Sequence, residues 1–195
     1  MTRAVEALPA VGEPYLQGQL DTLCGIYSAI NGLAAVLASV WPLRGSAATT
    51  LFRHAIGFVA QRIPLVDAVI DGISPELWLD LIQELARLVK AGPGRAIRIE
   101  RPFADTPGVR FREVCARIDA ALDRGDVVLV SLVGTYDHYT VVRGHTDARY
   151  LLHDSISLQS LMKRACGSLR SSRRHLIDPR WVVLLRVVEA VREPP

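Results

Sequence analysis

The chain has 195 residues, of which 50% are hydrophobic, 22% charged and 6% aromatic, and its formal net charge is +3 at pH 7. So much apolar content with so small a net charge excludes an intrinsically disordered chain, and three cysteines in a chain of this length argue against a disulfide scaffold. The chain is long enough to bury a core as a single domain over residues 1–195, and its mildly basic balance permits an acidic partner without requiring one.

The chain shows neither a secretory signal nor a clear membrane span. Residues 1–13 lack an apolar core flanked by basic residues. Cys24 to Leu43 is free of charge and long enough to cross a bilayer. Because it contains Asn31, two serines, two glycines and a proline, we interpret it as a helix buried inside a globular domain. We therefore expect a cytoplasmic protein with reduced thiols and no membrane partner.

The first half of the chain has helical periodicity. A first helix is predicted over residues 24–40 and a second over 46–62, with Ser46 as its N-cap. A third helix is predicted to begin at Ser74-Pro75, a cap followed by proline, and to end before Gly92. Its apolar stripe consists of Leu77, Leu81, Leu85 and Leu88.

The second half of the chain favours strands. A short strand is expected at residues 96–101, and one further helix at 109–124 with Gly125 as its stop signal. The β-rich runs that follow are residues 127–133, 138–143, 149–154 and 181–188. Helices first and strands second indicate an α+β fold, with helices packed on a C-terminal antiparallel sheet.

Cys24 opens the longest apolar helix. A thiol at a helix N-terminus lies near the positive end of the helix dipole and near free backbone N–H groups, and both stabilise the reactive thiolate. Gly25 would leave room for a substrate to approach the backbone. The alternative is a small buried core residue, which is the common fate of a cysteine.

His138 and Asp154 are brought together by the expected strand register. If the two flanking strands form a hairpin centred on Thr146, Asp154 lies directly opposite His138 on the same face. A carboxylate there would hold the imidazole in one tautomer and favour the imidazolium. With Cys24, the pair has the composition of a nucleophile, its base and a group that orients the base. The alternative is a polar cross-strand pair on a solvated face.

A glutamine before the cysteine adds a fourth element. The side-chain amide of Gln19, together with the backbone N–H of Cys24, would receive the oxyanion that develops on a substrate carbonyl. Gln17 is the alternative donor, and a plain surface position in a loop is the alternative for Gln19.

These elements occur in a fixed order along the chain. The order is Gln19-x-x-x-Leu23-Cys24, then Asn31, then His138-Tyr139-x-x-x-Arg143, then Asp154-Ser155. In this order the sequence resembles the papain-like cysteine peptidases. The glutamine-to-cysteine spacing and the His-aromatic stretch are most similar to those of Josephin-type deubiquitinases. The Cys-Gly pair and the His-then-Asp order also resemble the bacteriocin leader peptidases.

The resemblance covers about residues 15–33 and 136–155 of the chain, and residues 44–126 match nothing in the family. It implies a papain-like fold in which a buried central helix carries the cysteine. The implied roles are a nucleophile at Cys24, a base at His138, an orienting carboxylate at Asp154 and an oxyanion donor at Gln19.

The chain departs from the family pattern at the glutamine. Papain and the leader peptidases have it six residues before the cysteine, where this chain has Gly18 between Gln17 and Gln19. The Josephin-like spacing favours Gln19, and Gln17 stays open. Asp21 is similar to an aspartate of the ovarian-tumour deubiquitinases, but the downstream Asp154 argues against that subgroup.

The implied activity is a cysteine hydrolase that cleaves a peptide or isopeptide bond of a protein or peptide substrate through a thioester acyl-enzyme. The chemistry requires no cofactor. An acyl or amide transferase would use the same residues, and a catalytically inactive protein-binding module is a third hypothesis.

Two other patterns bear on ligands. The chain has no Cys-x-x-Cys or His-x-x-x-His spacing, so no metal site is predicted. The basic stretch from Lys163 to Arg180 is either a docking site for an acidic partner or a solvated loop. Nucleic acid is not expected there, because no aromatic residue interleaves for base stacking.

Overall fold

The computed structural model describes residues 12–89 and 91–190. In this part of the chain, most of the helices precede most of the strands. The helices of that part are α1 (Cys24–Leu37), α2 (Gly45–Ala60), α3 (Leu65–Asp71), α4 (Pro75–Leu88) and α5 (Phe111–Asp123). The strands are β1 (Arg95–Glu100), β2 (Val127–Gly134), β3 (His138–His145), β4 (Arg149–His153), β5 (Ser160–Met162), β6 (Cys166–Gly167), β7 (His175–Ile177) and β8 (Val183–Glu189). This mostly antiparallel arrangement confirms the α+β class.

The eight strands form one sheet, in which six are paired in the order β1-β8-β2-β3-β4-β5 and β6 and β7 lie off this path. β7 pairs with the last residues of β2, and β6 pairs with β7. Among the described strands, only the β6–β7 pairing is parallel. Helices cover both faces, so neighbouring residues of β2 enter different cores. Leu129 packs in the core with α1 and α4, whereas Val128 and Val130 pack in the core with α5. Burial on both faces explains why β2 is apolar throughout rather than alternating.

α1 is the central helix, and twelve of its fourteen residues are buried. Full burial of one Ile or Leu side chain contributes roughly 1.5–3 kcal/mol, and Ile26, Ile30 and Leu33 are all buried in this helix. Asn31, also buried, is satisfied by the backbone of Tyr15, which donates to Oδ1 at 2.8 Å and accepts from Nδ2 at 3.0 Å. Among the described residues, no helix is long and apolar enough to span a membrane.

The helix boundaries differ in places from the predictions. Ser74 caps α4 as predicted, because its Oγ accepts the backbone N–H of Leu77 at 3.3 Å. The N-cap prediction for Ser46 is wrong: α2 begins at Gly45, with Arg44 at the cap position and no side-chain cap bond. The chain enters this helix one residue early, so Ser46 lies inside the first turn.

Other differences concern length and burial. α1 ends at Leu37 rather than at residue 40, and a turn follows in which the N–H of Val40 donates to the Leu37 carbonyl at 3.0 Å. Leu88, expected in the buried stripe of α4, is 47% exposed. α3 was not predicted, because only Ala68 of its seven residues is buried and so short a helix shows no periodicity.

The β3–β4 hairpin has a different register from the predicted one. A hairpin centred on Thr146 would pair Leu152 with Thr140, but Leu152 pairs with Val142. The turn lies after Thr146, whose N–H donates to the carbonyl of Arg149 at 2.8 Å, and the register shifts again between Val142 and Gly144. Both the later turn and this bulge move the pairing, and neither is visible in the hydrophobic pattern.

The basic stretch from Lys163 to Arg180 is not a plain loop. It contains β6, β7 and two 3-10 turns, Lys163–Ala165 and Pro179–Trp181. Lys163 binds Asp119 at 2.7 Å and Arg180 binds Asp178 at 2.7 Å, so two of its cations are neutralised within the chain. The docking of an acidic partner there stays a prediction.

Candidate active site

The structure brings Cys24, His138 and Asp154 together. Cys24 is the first residue of α1, His138 is the first residue of β3, and α1 packs against β3. Asp154 follows the last residue of β4, the strand hydrogen-bonded to β3. The exposed fractions of the three residues are 7%, 7% and 2%. Each side chain is thus held at the end of a packed element, out of bulk water.

The His138–Asp154 contact is a short buried hydrogen bond. Nε2 of His138 and Oδ2 of Asp154 are 2.7 Å apart, and the two side chains are 6% and 0% exposed. The other carboxylate oxygen, Oδ1, accepts the backbone N–H groups of Ile156 at 2.9 Å and Leu158 at 3.2 Å. The loop after β4 therefore fixes the carboxylate, and the carboxylate fixes the ring.

The hairpin register differs from the predicted one, yet it still allows the contact between His138 and Asp154. Because the register differs from the predicted one by two residues, Asp154 stays on the face of His138. A shift of one residue would have turned His153 or Ser155 toward the ring instead. Asp154 thus meets His138 diagonally rather than directly across the strands.

Both side chains of the pair have altered pKa values. Burial lowers the pKa of His138, but hydrogen bonds to Asp154 and Cys24, and their charges, outweigh it and raise the pKa to about 9. Burial raises the pKa of Asp154, but the hydrogen bond and the charge of His138 outweigh this and lower it. At neutral pH the pair therefore consists of an imidazolium and a carboxylate.

The second ring nitrogen of His138 is available to interact with Cys24. Nε2 of His138 is engaged by Asp154, so Nδ1 is the nitrogen that remains. Hydrogen bonding to the Cys24 sulfur is one of the causes of the raised pKa of His138. The ring therefore lies between a thiol and a carboxylate, which is the arrangement of an activated nucleophile.

The two glutamines differ in their surroundings. Gln19 is exposed, whereas Gln17 is half-buried. The backbone N–H of Gln17 donates to the Ser155 carbonyl at 3.1 Å, and its Oε1 accepts the Ser155 hydroxyl at 3.0 Å. Its Nε2 donates to the Asp21 carbonyl at 3.3 Å. Gln17 thus connects the residue after Asp154 with the loop before Cys24.

That loop is shaped by Asp21. Its Oδ2 accepts the N–H of Gly18 at 2.7 Å, and its Oδ1 accepts the N–H of Leu23 at 3.1 Å. These two bonds fold the chain tightly just before α1. Asp21 therefore has a structural role in presenting Cys24 at the start of the helix.

Gly25 does not have the role expected from the sequence. A Cβ at this position would lie 2.8 Å from the side chain of Ile73 and 3.3 Å from that of Tyr139. The space beside it is therefore filled by protein rather than left for a substrate. Sequence reasoning also missed the aromatic contact beside Gly25. There the ring of Tyr139 stacks on that of Trp78, with 4.3 Å between centroids, and its hydroxyl donates to the Ile73 carbonyl at 3.0 Å.

The other cysteines lie in a different environment. All three cysteines are free, and Cys24 and Cys166 are buried. Burial raises the pKa of Cys115 and raises that of Cys166 to about 11. Within residues 12–89 and 91–190, no group of three or more His, Cys, Asp or Glu side chains is placed to hold a metal ion.

No protein-family model matches the chain, and no curated protein matches it. Function is therefore inferred from the residues of the site and their geometry.

Proposed function

We propose that this protein is a papain-like cysteine hydrolase that cleaves a peptide or isopeptide bond with Cys24, His138 and Asp154. The observation that carries the proposal is the buried 2.7 Å hydrogen bond between His138 and Asp154. Cys24, at the start of the helix packed against β3, contributes to the raised pKa of the same ring. Perturbed titratable groups held in such an arrangement are typical of catalytic sites.

Acylation uses the charged form of the site. The Cys24 thiolate attacks the carbonyl carbon of the scissile amide and forms a C–S bond. His138 then gives its proton to the leaving nitrogen, the C–N bond breaks, and the amine departs. With a pKa of about 9, the His138 ring carries that proton at neutral pH.

Deacylation uses the neutral ring. In the thioester, Cys24 carries no charge, so one contribution to the raised pKa of His138 is removed. The ring takes a proton from water, whose oxygen attacks the thioester carbon. The C–S bond breaks, the acid departs, and the thiolate and imidazolium are restored. Asp154 keeps the ring oriented in both steps.

We assign the oxyanion donor to Gln17, with the backbone N–H of Cys24. Gln17 is anchored to Ser155 and Asp21, whereas Gln19 is exposed. Because Oε1 of Gln17 accepts the Ser155 hydroxyl, its amide orientation is set and the second N–H of Nε2 is available. This assignment reverses the preference for Gln19 that the spacing suggested. We also propose a cytoplasmic location, where the nucleophilic thiol stays reduced.

The proposal is tested by thiol labelling. The native protein is treated with limiting iodoacetamide at pH 7, and the labelled cysteines are identified by peptide mass spectrometry. We expect Cys24 to be labelled first, because burial raises the pKa of Cys115 and Cys166. Cys115→Ser is the matched control and should label as the wild type does. Failure of Cys24 to label in the native protein, while the urea-unfolded chain labels normally, would refute the proposal.

A second experiment separates hydrolysis from transfer. Reporter peptides with a peptide or an isopeptide bond are incubated with the protein, with and without an added primary amine. A hydrolase releases the free acid in both reactions, whereas a transferase forms the new amide when amine is present. Cys24→Ala should retain the fold and lose all product, because the thioester cannot form.

A further inference from the structure

A large apolar groove lies at the end of α1 remote from Cys24. We call it the Trp41 groove. Its volume is about 1060 Å³, and nine of its thirteen lining residues are apolar, among them Leu37, Trp41, Leu51 and Leu88. Leu37 is the last residue of α1, so the helical rise places the groove about 20 Å from Cys24. It is therefore a site separate from the candidate active site.

Some apolar side chains of the groove are exposed to solvent and others are buried. Trp41 is 51% exposed and Leu88 is 47% exposed, whereas Leu37 and Leu51 are buried in the helical core. Apolar recesses of about 300–1,000 Å³ with few polar groups are typical of small-molecule sites. A stable protein interface uses about 20–30 residues on each side, more than the thirteen that line this groove.

The polar end of the groove is electropositive. Among the described residues that line the groove, none is acidic and Arg44 is cationic. Arg44 occupies the N-cap position of the sixteen-residue helix α2, which has no side-chain cap bond. Ser46 and Ala47, from the first turn of α2, also line the groove. Unpaired backbone N–H groups and the helix dipole there favour a negative charge.

One further carboxylate approaches this region. Glu84 binds His54 at 3.1 Å and also binds Arg87 at 3.2 Å. Glu84 does not line the groove, and its charge is paired with that of Arg87.

We propose that the Trp41 groove binds a free fatty acid. The apolar chain lies against Trp41 and Leu88, and the carboxylate lies at Arg44 and the first turn of α2. The proposal rests on the complementarity between an amphiphile with an anionic head and a groove that is apolar along its walls and positive at one end. It is independent of the proposed hydrolase activity.

Tryptophan fluorescence provides a direct test. Trp41 is half exposed, whereas Trp78 and Trp181 are 0% and 8% exposed, so a ligand in the groove changes mainly the emission of Trp41. Titration with dodecanoate below its micelle concentration should give a saturable blue shift. Trp41→Phe should abolish the shift, whereas calorimetry of that variant should still detect binding.

Variants at each end of the groove locate the ligand. Arg44→Gln should weaken dodecanoate binding about tenfold and leave dodecanol binding unchanged, because one charge-assisted contact is lost. Arg53→Gln, at an exposed arginine of α2 that does not line the groove, is the matched control. Leu88→Glu should abolish binding of both ligands, whereas Val66→Glu, at an exposed position of α3, should not affect it.

Three outcomes would overturn the proposal. They are the absence of dodecanoate binding in both fluorescence and calorimetry, equal loss with the Arg44 and Arg53 variants, and binding that Leu88→Glu leaves intact. Saturable binding of an acidic amphipathic helical peptide, without dodecanoate binding, would instead identify the groove as a protein interface.

Discussion

At the residue scale, His138 is the group on which the proposed chemistry depends. Its two partners act in the same direction, since Asp154 and Cys24 both favour the protonated ring against the effect of burial. Removal of either partner should therefore shift the protonation of the ring as well as its orientation.

The first prediction concerns the pH dependence of acylation. The raised pKa of His138, about 9, predicts that acylation falls as pH rises through about 9, where the proton donor is lost. Asp154→Asn should move this alkaline limb to lower pH and reduce the maximum rate. Rates of single-turnover acylation between pH 6 and 10 check this. Asp137→Asn, at an exposed carboxylate beside His138, is the control and should leave the limb in place.

The second prediction concerns the glutamines. Gln17→Ala should lower the acylation rate by roughly 10²–10³ with little change in substrate binding, because an oxyanion donor acts only as charge develops. Gln19→Ala, at an exposed position two residues away, should have no effect. Ser155→Ala should give a smaller loss, since it releases the orientation of the Gln17 amide. The opposite ranking of the two glutamine variants would restore Gln19 as the donor.

The third prediction concerns stability. The pKa of His138 rises from 6.5 to about 9 on folding, so its protonation stabilises the folded state fully below pH 6.5. This contribution is lost as pH rises through about 9. The difference in unfolding free energy between wild type and His138→Gln, from urea titrations, should therefore be largest near pH 6 and shrink toward pH 9. A difference that does not change with pH would contradict the assigned pKa.

At the element scale, α1 is held against the sheet by close approach as well as by apolar burial. A Cβ at Gly32 would lie 3.1 Å from the side chain of Leu129, which is fully buried in β2. The helix that carries Cys24 thus has little freedom to move relative to the strand beside β3. The position of the thiol relative to His138 depends on this contact.

The fourth prediction tests that contact with two glycines in helices. Gly32→Ala should destabilise the protein by about 1–3 kcal/mol, because the added methyl group overpacks the α1–β2 interface. Gly57→Ala in α2 meets no atom within 4 Å, and it should stabilise by roughly 0.5–1 kcal/mol through helix propensity. Thermal unfolding of both variants gives the comparison. Stabilisation by both substitutions would show that α1 can withdraw from β2.

Local patterns predicted most of the longer elements. α1, α2, α4, α5 and the strands β1 to β4 and β8 were expected within a few residues of their ends. The elements that were missed are α3 and the two- or three-residue strands β5, β6 and β7. The strands are two or three residues long and α3 has only about two turns, so their patterns repeat too few times to be recognised in the sequence.

At the scale of the whole molecule, the sequence by itself determined the α+β class and the buried helix that begins at Cys24. It also predicted that His138 and Asp154 share a face, and they do so because the actual register differs from the predicted one by two residues, which keeps the side-chain alternation. These properties depend on the order of apolar and polar residues within short segments, and not on contacts between distant segments.

Only the tertiary structure decided the remaining features. The register of the β3–β4 hairpin depends on the turn after Thr146 and on a bulge. The contrast between Gln17 and Gln19 depends on Ser155, which lies far away in the sequence. The Trp41 groove depends on how the ends of three helices meet. Each of these features is set by contacts between distant segments. The pattern of hydrophobicity along the sequence does not indicate which distant segments will pack together.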